Sequence, residues 1–339
     1  MQQSKILDKN LNKKISFMRV ALNLAKKGLG HVSPNPCVGA IVVKNDKIVG
    51  EGYHSKAGGH HAEVMAINEA GKLAQDADLY VTLEPCNHFG KTPPCAELIV
   101  KTGFRKVFIA CKDLNPLVSG KGIAYLESKN IKVEQGILES EAVDLNKGFF
   151  KRIKEKKPFI TIKIASSIDG NTSLKSGESK WITSEHARED VQKLRANACA
   201  ILTGVGTVNI DNPNLNVRSW KGKNPIRIII DYDNKLSNKF NVFNDQAKTI
   251  KITKNNIDQS LPIASEISSL LFKENIQSVI VEGGKKTLEE FIKTNLWDEA
   301  RIFTNKKNLK KGTEAPKLKG KIILEKKIDD DELKIIKPF

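Results

Sequence analysis

Apolar side chains recur along the chain with two periods, one typical of helices and one typical of strands. Residues 16–27 carry apolar positions at helical spacing, which predicts an amphipathic helix. Residues 38–43 and 47–50 flank the turn pair Asn45-Asp46, so this segment is predicted to form a β-hairpin. The same periods predict helices over residues 61–74, 94–101, 122–129 and 139–151, and strands over residues 79–83, 106–110 and 131–133.

A basic run at residues 151–157, followed by Pro158, is the predicted linker between two domains. The length of 339 residues also favours two domains, each with its own core. We therefore expect domains at residues 1–152 and 158–339, both α/β because helices and strands alternate in each. In the second half, helices are predicted over residues 184–196 and 264–273 and after Gly284, and strands over residues 158–165, 200–203, 226–231 and 278–281.

The composition is that of an ordinary globular protein, with 40% apolar and 28% charged residues. Its apolar runs are far shorter than the roughly 20 residues needed to cross a bilayer, so no membrane span is expected. The lysine-rich start is not followed by the apolar stretch of a signal peptide, which predicts a cytoplasmic protein. The odd number of cysteines, five, favours metal binding or catalysis over disulfides.

The net charge is +17, and most of the excess lies after residue 150. Such an excess suits phosphorylated ligands or nucleic acid, and it is equally typical of a solvated surface rich in lysine. Charge alone therefore assigns no function.

His61, Glu63, Cys86 and Cys95 form the strongest chemical pattern in the sequence. One imidazole and two thiolates leave one position open on a tetrahedral zinc ion, as in catalytic rather than structural sites. Glu63 is then suited to carry a proton between water and a leaving amine. The His-x-Glu and Pro-Cys segments match the signature of zinc deaminases that act on nitrogen heterocycles. The competing interpretation is a closed zinc site or two unrelated buried cysteines.

The spacing between the two cysteine ligands is longer than in the short deaminase signature. The inserted polar loop carries His88 and Lys91, which we expect to contact the substrate. Cys37, Cys111 and Cys199 lie in apolar surroundings and are predicted to be small buried side chains.

With Pro-Asn-Pro-Cys-Val-Gly at residues 34–39 and Thr-Leu-Glu-Pro-Cys at residues 82–86, the first half resembles the bifunctional riboflavin-biosynthesis deaminase/reductase family. The resemblance implies a cytidine-deaminase-like three-layer domain that binds one zinc ion. It implies hydrolysis of the 2-amino group of 2,5-diamino-6-(5-phosphoribosylamino)pyrimidin-4-one. It also places Asn35 beside the pyrimidine, where an amide can both donate and accept hydrogen bonds.

The second half resembles the reductase domain of the same family, through residues 163–170, 177–183, 204–207 and 211–213. The resemblance implies a dihydrofolate-reductase-like α/β domain that reduces the ribosyl chain to a ribityl chain with NADPH. The Val-Glu-Gly-Gly segment at residues 281–284 joins a predicted strand to a helix, where backbone amides suit a phosphate. A plain turn into the helix is the alternative.

Carried over position by position, the resemblance assigns roles to individual residues. Lys163 and Asp211 are expected at the carbon that accepts hydride, because reduction of an opened ribosylamine needs a proton source. Arg195 and Arg218 are expected to hold the substrate phosphate. The expected cofactor contacts are Ala165, Trp181, Thr207, Asp211, Gly284, Lys285, Lys286 and Thr287, and the expected substrate contacts in this half are Ser179, Arg195, Leu215, Arg218 and Glu282.

A deaminase that edits transfer RNA is the alternative enzyme class. It would share the zinc residues and the positive charge, but it would not need a second α/β domain. A non-enzymatic zinc protein would leave Glu63 without a role. We therefore expect a small phosphorylated pyrimidine substrate, no nucleic-acid partner, no membrane and a homo-oligomer. The chain departs from the family at residues 305–312, where a lysine-rich segment replaces the usual Pro-Lys-Leu motif.

Overall fold

The computed structural model describes residues 2–89, 93–116, 118–175 and 182–339. The chain divides into two compact units, Met1–Glu155 and Lys156–Phe339. Each unit combines helices with one large sheet, so the expected α/β class is confirmed in both halves. None of the described helices is long and apolar enough to cross a membrane.

The first unit is a five-stranded sheet with helices. Its elements are α1 (Gln2–Lys26), β1 (Gly39–Lys44), β2 (Lys47–Tyr53), α2 (Ala62–Ala70), β3 (Asp78–Leu83), α3 (Cys95–Thr102), β4 (Lys106–Cys111), α4 (Lys121–Ser128), β5 (Lys132–Gln135), α5 (Glu139–Leu145) and α6 (Lys147–Glu155). The strand order is β2-β1-β3-β4-β5. β1 pairs antiparallel with both β2 and β3, whereas β3, β4 and β5 are parallel. The carboxyl ends of β3 and β4 therefore meet at one edge of the sheet.

Helices cover both faces of this sheet, which confirms the expected three-layer arrangement. On one face, Ala66 of α2, Ile99 of α3 and Leu126 of α4 belong to a single buried cluster. On the other face, Leu22 of α1 and Phe149 of α6 belong to a second cluster. The predicted hairpin is also confirmed, with both turn residues at positive φ.

Three predicted boundaries in this unit are wrong. The first helix begins at Gln2 rather than at residue 16, and the helix predicted over residues 139–151 is divided at Asn146. The segment predicted as an exposed linker, residues 151–157, is helical as far as Glu155. Phe149 and Phe150 are buried on one side of α6, and Lys154 is exposed near its end.

The second unit contains an eight-stranded sheet. Its elements are β6 (Phe159–Ser167), β7 (Asn171–Leu174), α7 (Glu185–Asn197), β8 (Ala200–Gly204), α8 (Val205–Asp211), β9 (Ile226–Ile230), β10 (Thr249–Ile252), α9 (Ile263–Lys273), β11 (Ser278–Val281), α10 (Lys285–Lys293), β12 (Glu299–Asn305), β13 (Gly312–Glu314), β14 (Lys321–Ile328) and β15 (Asp331–Lys337). The strand order in the large sheet is β10-β9-β8-β11-β6-β12-β15-β14. The first six strands in this order are parallel, and β15 and β14 are added antiparallel.

Several elements of this unit were not predicted. The glycine pair at Gly204 and Gly206 leads directly into α8, and β7, β10 and the four strands after α10 lack a clear apolar period. The divergent segment at residues 305–312 connects β12 to β13, and β13 pairs antiparallel with β7. The segment therefore ends in a small two-stranded sheet of its own.

Candidate active sites

The first site lies where α2 begins, and the packing of α2 on β2 fixes its position. A Cβ added to Gly52 of β2 would lie 2.2 Å from the carbonyl oxygen of Ala62, so the helix backbone rests directly on the strand. His61 is the residue before the first turn of α2, and Glu63 lies within that turn. A spacing of two residues can therefore bring both side chains to one site at the helix start.

His61, Cys86 and Cys95 bring three potential metal-ligand atoms within 4.8 Å of one another. The His61 Nδ1 atom lies 3.1 Å from Cys95 Sγ and 3.6 Å from Cys86 Sγ. Ligands of a tetrahedral zinc ion with these donor types lie about 3.5 Å apart, because zinc–nitrogen and zinc–sulfur bonds are about 2.0 and 2.3 Å long. The residues present therefore fit a zinc ion.

The start of α3 holds the two cysteines in position. Cys86 follows β3, and Cys95 is the first residue of α3. The Cys95 backbone N–H donates to Cys86 Sγ over 3.4 Å, and the Ala96 N–H donates to the Cys86 carbonyl. The side-chain hydrogen bond between the two thiols lowers the pKa of Cys86 and raises the pKa of Cys95. The helix dipole also favours a thiolate at this end of α3.

Glu63 is a buried carboxyl group beside the three ligands, with 4% of its surface exposed. Burial raises its pKa to about 6, although nearby His61 partly opposes the shift. A carboxyl group with a pKa near neutrality is suited to accept and return a proton.

Asn35 and His54 form a second polar pair close to the ligands. Asn35 Nδ2 lies 3.0 Å from His54 Nε2, and His54 Nδ1 lies 2.9 Å from the His60 carbonyl oxygen. With the amide nitrogen as donor, Nε2 accepts and Nδ1 carries the single proton of a neutral ring. Burial lowers the pKa of His54, which agrees with that form. The His54 ring meets the His61 ring edge-on, with centroids 5.8 Å apart.

The loop between the two cysteines contributes His88, whose Nδ1 is buried and has no hydrogen-bond partner among the described residues. An unpaired buried polar atom of this kind is suited to meet a ligand. Lys91, the other loop residue predicted to contact substrate, lies outside the described residues.

The sequence analysis missed two carboxylates near this site. Asp113 follows β4 and is buried, which raises its pKa to about 6, and the charges of His88 and Cys86 act on it. Glu84 is buried beside Cys86 and accepts hydrogen bonds from the backbone N–H groups of Asp113, Gly120, Gly122 and Ile123. The signal for Asp113 was its position, because polar residues just past adjacent parallel strands meet at one sheet edge.

A second site in the other unit is built around Glu282, which follows β11. Arg195 of α7 binds it through two hydrogen bonds, with Nε to Oε1 at 2.9 Å and Nη2 to Oε2 at 2.8 Å. Lys163 Nζ of β6 lies 3.8 Å from Oε2. Burial alone would raise the pKa of Glu282, but Arg195 and Lys163 lower it to about 2. Burial lowers the pKa of Lys163.

The structure thus pairs two residues that were expected to contact the substrate separately. Because Arg195 Nη1 also donates to the Asn216 carbonyl, all three guanidinium nitrogens have protein partners. Arg218 is exposed, and its backbone N–H donates to Gln192 Oε1 over 2.9 Å.

Most of the predicted cofactor residues lie around the first turns of α8 and α10. A Cβ added to Gly284 would lie 3.4 Å from Thr207 Oγ1, and one added to Gly204 would lie 2.7 Å from Thr287 Oγ1. Gly284 precedes the first turn of α10, where backbone amides are available to a phosphate. Lys285 and Lys286 continue that turn.

The remaining predicted residues are more dispersed. Ala165 is half-buried and shares a strand face with Lys163, two residues earlier in β6. Asp211 ends α8, and the side chain of Leu215 is buried in a core cluster. Ser179 and Trp181 lie outside the described residues.

Comparison with known proteins places both sites in a wider context. Residues 11–111 match the family model of the cytidine and deoxycytidylate deaminase zinc-binding region, and residues 158–310 match that of the RibD C-terminal domain. The chain is 44% identical over 310 residues to riboflavin biosynthesis protein RibD of Bacillus amyloliquefaciens, an alignment that covers 85% of this chain and 83% of that protein. It is 42% identical over 330 residues to RibD of Aquifex aeolicus, covering 93% and 88% of the two chains.

A crystal structure from Thermotoga maritima has the same architecture. That diaminohydroxyphosphoribosylaminopyrimidine deaminase/5-amino-6-(5-phosphoribosylamino)uracil reductase is 38% identical, with a TM-score of 0.90, and the match covers 97% of this chain and 100% of that one. Because the matches extend over both halves, the alternative of a deaminase that edits transfer RNA is not favoured.

Proposed function

The chain belongs to the RibD family of riboflavin biosynthesis proteins, and from that premise we propose how its two sites divide the work. It is a bifunctional enzyme, with a zinc-dependent deaminase domain in the first half and a reductase domain of the NADPH-dependent, dihydrofolate-reductase-like type in the second. The observation that carries the deaminase assignment is the convergence of His61, Cys86 and Cys95 beside buried Glu63.

We propose that His61, Cys86 and Cys95 hold zinc and that Glu63 moves the proton. When bound there, zinc supplies the Lewis acidity that makes water a nucleophile near neutral pH. Glu63 takes a proton from the water and returns it to the departing amine, which its raised pKa favours. The proposed substrate is the phosphoribosylated diaminopyrimidine, which loses its 2-amino group. Its proposed contacts are Asn35, His88 and Lys91.

In the reductase half, NADPH supplies the hydride. Thr207, Gly284 and Thr287 are the proposed centre of its binding site, because they surround the first turn of α10. Lys163 is the proposed proton source at the ribosyl carbon, since burial lowers its pKa and so eases loss of the proton. Ala165, Trp181, Asp211, Lys285 and Lys286 remain proposed cofactor contacts, and Ser179 and Leu215 remain proposed substrate contacts.

We revise the proposed roles of the two arginines. Arg195 orients Glu282 and Lys163, because its guanidinium group is already paired. Arg218 remains the phosphate-binding residue, since its exposed side chain suits an anionic ligand.

We further propose a cytoplasmic homo-oligomer that needs no nucleic acid. All five cysteines are free, which suits a reducing compartment.

Product analysis tests the proposed function. The purified protein is incubated with the phosphoribosylated diaminopyrimidine, with and without NADPH, and products are identified by mass. Deamination alone should occur without NADPH, and deamination followed by reduction should occur with it. Recovery of unchanged substrate under both conditions from zinc-loaded protein would contradict the proposal.

A further inference from the structure

A loop between α8 and β9 carries Arg218, the residue proposed to bind the substrate phosphate. This segment, residues 216–224, is called here the Arg218 loop, and it lies outside every helix and strand of the second unit. Side chains rather than a backbone ladder hold its start in place. Each of its first three residues makes a backbone hydrogen bond to a side chain from elsewhere in the chain.

Two of these side chains belong to α7 and lie one helical turn apart. Arg195 Nη1 donates to the Asn216 carbonyl oxygen over 3.2 Å, and the Arg218 backbone N–H donates to Gln192 Oε1 over 2.9 Å. Residues three apart on a helix share a face, so Gln192 and Arg195 contact the loop from the same side of α7. One face of this helix therefore serves both Glu282, through Arg195, and the Arg218 loop.

The far end of the Arg218 loop is also held. The Val217 N–H donates to Asn224 Oδ1 over 2.9 Å, which ties the start of the loop to its end. A Cβ added to Gly222 would lie 2.5 Å from Ala196 Cβ, so the loop backbone rests directly on α7. The Arg218 side chain thus extends from a backbone that is fixed on both sides.

Gln192 and Arg218 differ sharply in their exposure. Gln192 has only 5% of its surface exposed, whereas Arg218 is exposed. The charge of Arg218 nevertheless reaches the site around Glu282: burial raises the pKa of Glu282, Arg195 and Lys163 lower it, and Arg218 lowers it further. A buried amide therefore anchors the backbone of a cation whose side chain is open to solvent on the side of the proposed reductase site.

We infer that Gln192 is a positioning residue for Arg218 and thereby a determinant of the preference for a phosphorylated substrate in the reduction step. A guanidinium group binds a phosphate through two parallel hydrogen bonds only when its direction is set. Anchoring the backbone of Arg218 lowers the ordering cost that substrate binding must otherwise meet. The inference rests on the proposed function in one respect, the role of Arg218.

Kinetics of the reduction step test the inference. The full chain is assayed with NADPH and the deaminated intermediate, and with the same compound lacking its phosphate. Gln192→Met keeps the length of the side chain and removes the acceptor, so KM for the phosphorylated compound should rise ~3- to 10-fold while kcat is retained. KM for the compound without phosphate should not change. An equal rise for both compounds would show a general structural role and would overturn the inference.

A double-mutant cycle with Arg218→Ala connects the effect to the arginine. If Gln192 acts through Arg218, adding Gln192→Met to Arg218→Ala should change KM by less than about twofold. Effects that add fully in the double variant would overturn the inference. Gln259→Met is the matched control, because Gln259 is an exposed residue of the same unit whose Oε1 accepts from Tyr232. It should leave KM for both compounds unchanged.

Two further comparisons separate the possible failures. NADPH affinity equal to that of the wild type shows that the reductase unit is folded, and Gln192→Asn, whose amide is one methylene group shorter, is a second variant with the same expected selectivity. If Arg218→Ala left KM for the phosphorylated compound unchanged, the proposed role of Arg218 and this inference would both be overturned. If Arg218→Ala raised that KM and the two Gln192 variants did not, the inference alone would be overturned.

Discussion

Glu63 and Glu282 are both buried carboxyl groups, but their surroundings move their pKa values in opposite directions. For Glu63 burial dominates and raises the pKa to about 6, despite the nearby imidazole of His61. For Glu282 the two cations Arg195 and Lys163 outweigh burial and lower the pKa to about 2. Glu63 is therefore suited to proton transfer, whereas Glu282 is a permanent anion that holds two cations in place.

Replacing Glu63 with Gln should abolish deamination and leave zinc bound. Glutamine has nearly the same shape as glutamate but cannot carry the proton. Loss of the proton carrier should lower kcat of deamination at least about 100-fold. Zinc content, measured by elemental analysis, should stay at one per chain in Glu63→Gln and fall in Cys86→Ser. Wild-type deamination by Glu63→Gln would contradict the assignment of the proton carrier.

Replacing Arg218 with Ala should weaken binding of the phosphorylated substrate and spare the cofactor. A charge-assisted hydrogen bond contributes about 1.5 to 3 kcal/mol, so the substrate dissociation constant should rise about 10- to 100-fold. Calorimetric titration of both ligands measures this. A loss confined to NADPH would instead place Arg218 in the cofactor site.

Replacing Glu282 with Gln should destabilise the chain by about 3 kcal/mol at neutral pH, because two buried cations lose their partner. The pKa of Glu282 in the folded protein, about 2, lies below its ordinary value of 4.5. Its stabilising effect is therefore complete above pH ~4.5 and is lost as the pH falls through ~2. Urea unfolding of wild type and variant at several pH values should show the difference shrinking in acid.

Glu289→Gln is the matched control for Glu282→Gln. The Glu289 carboxylate is one-third exposed and lies 4.0 Å from Lys285. Its loss should change the unfolding free energy by less than about 0.5 kcal/mol at any of these pH values. Equal destabilisation by the two variants would contradict the buried ion-pair account.

Sequence analysis predicted that His61, Cys86 and Cys95 would come together, because each lies in a short motif with its own chemistry. It did not predict that Arg195 and Glu282 pair, since α7 and β11 are distant in sequence and only the folded sheet brings them together. Asp113 was missed for a related reason, because it joins the site through the pairing of β3 and β4 and lies in no motif.

At the scale of elements, alternation of apolar and polar residues predicted the buried strands and the helices between them. It failed where a run of charged residues hides the buried side chains of the same element. The basic residues at the end of α6 predict a linker, but Phe149 and Phe150 pack this helix into the core. It failed also for β14, where only Ile328 is buried, so no period of two exists to detect.

The start of α10 offers a test at this scale. Gly284 has an ordinary φ of −56°, and the nearest atom to an added Cβ is Thr207 Oγ1 at 3.4 Å, so Gly284→Val should fold. Its side chain would block approach to the backbone amides and should raise the NADPH dissociation constant about tenfold or more. Fluorescence titration with NADPH measures the effect, and Gly284→Ala should give a smaller one.

Gly283→Val separates binding from folding. A Cβ at Gly283 would lie 2.9 Å from Thr287 Cβ, so this variant should lower the unfolding midpoint as well as the affinity. If Gly284→Val were destabilised to the same extent, the lost affinity would reflect damage to the fold rather than a blocked phosphate site.

At the scale of the whole molecule, each unit has its own sheet and its own buried clusters. Ile99 and Leu126 belong to a cluster of the first unit, and Ile162 and Phe291 belong to a cluster of the second. The proposed zinc residues all belong to Met1–Glu155. Glu282 and the two cations paired with it, Lys163 and Arg195, all belong to Lys156–Phe339. We therefore expect a substitution in one site to leave the residues of the other site in place.

The two activities should accordingly be separable in the full chain. Glu63→Gln should stop deamination but still reduce the deaminated intermediate when that compound is supplied with NADPH. Lys163→Met should do the reverse, since it keeps the length of the buried side chain and removes the proton source. The rates of deamination and reduction are measured for both variants. Deamination by Glu63→Gln and reduction by Lys163→Met should each fall by at least about 100-fold, and the other two rates should not change. A fall in all four would mean that the two sites depend on each other for their catalytic geometry.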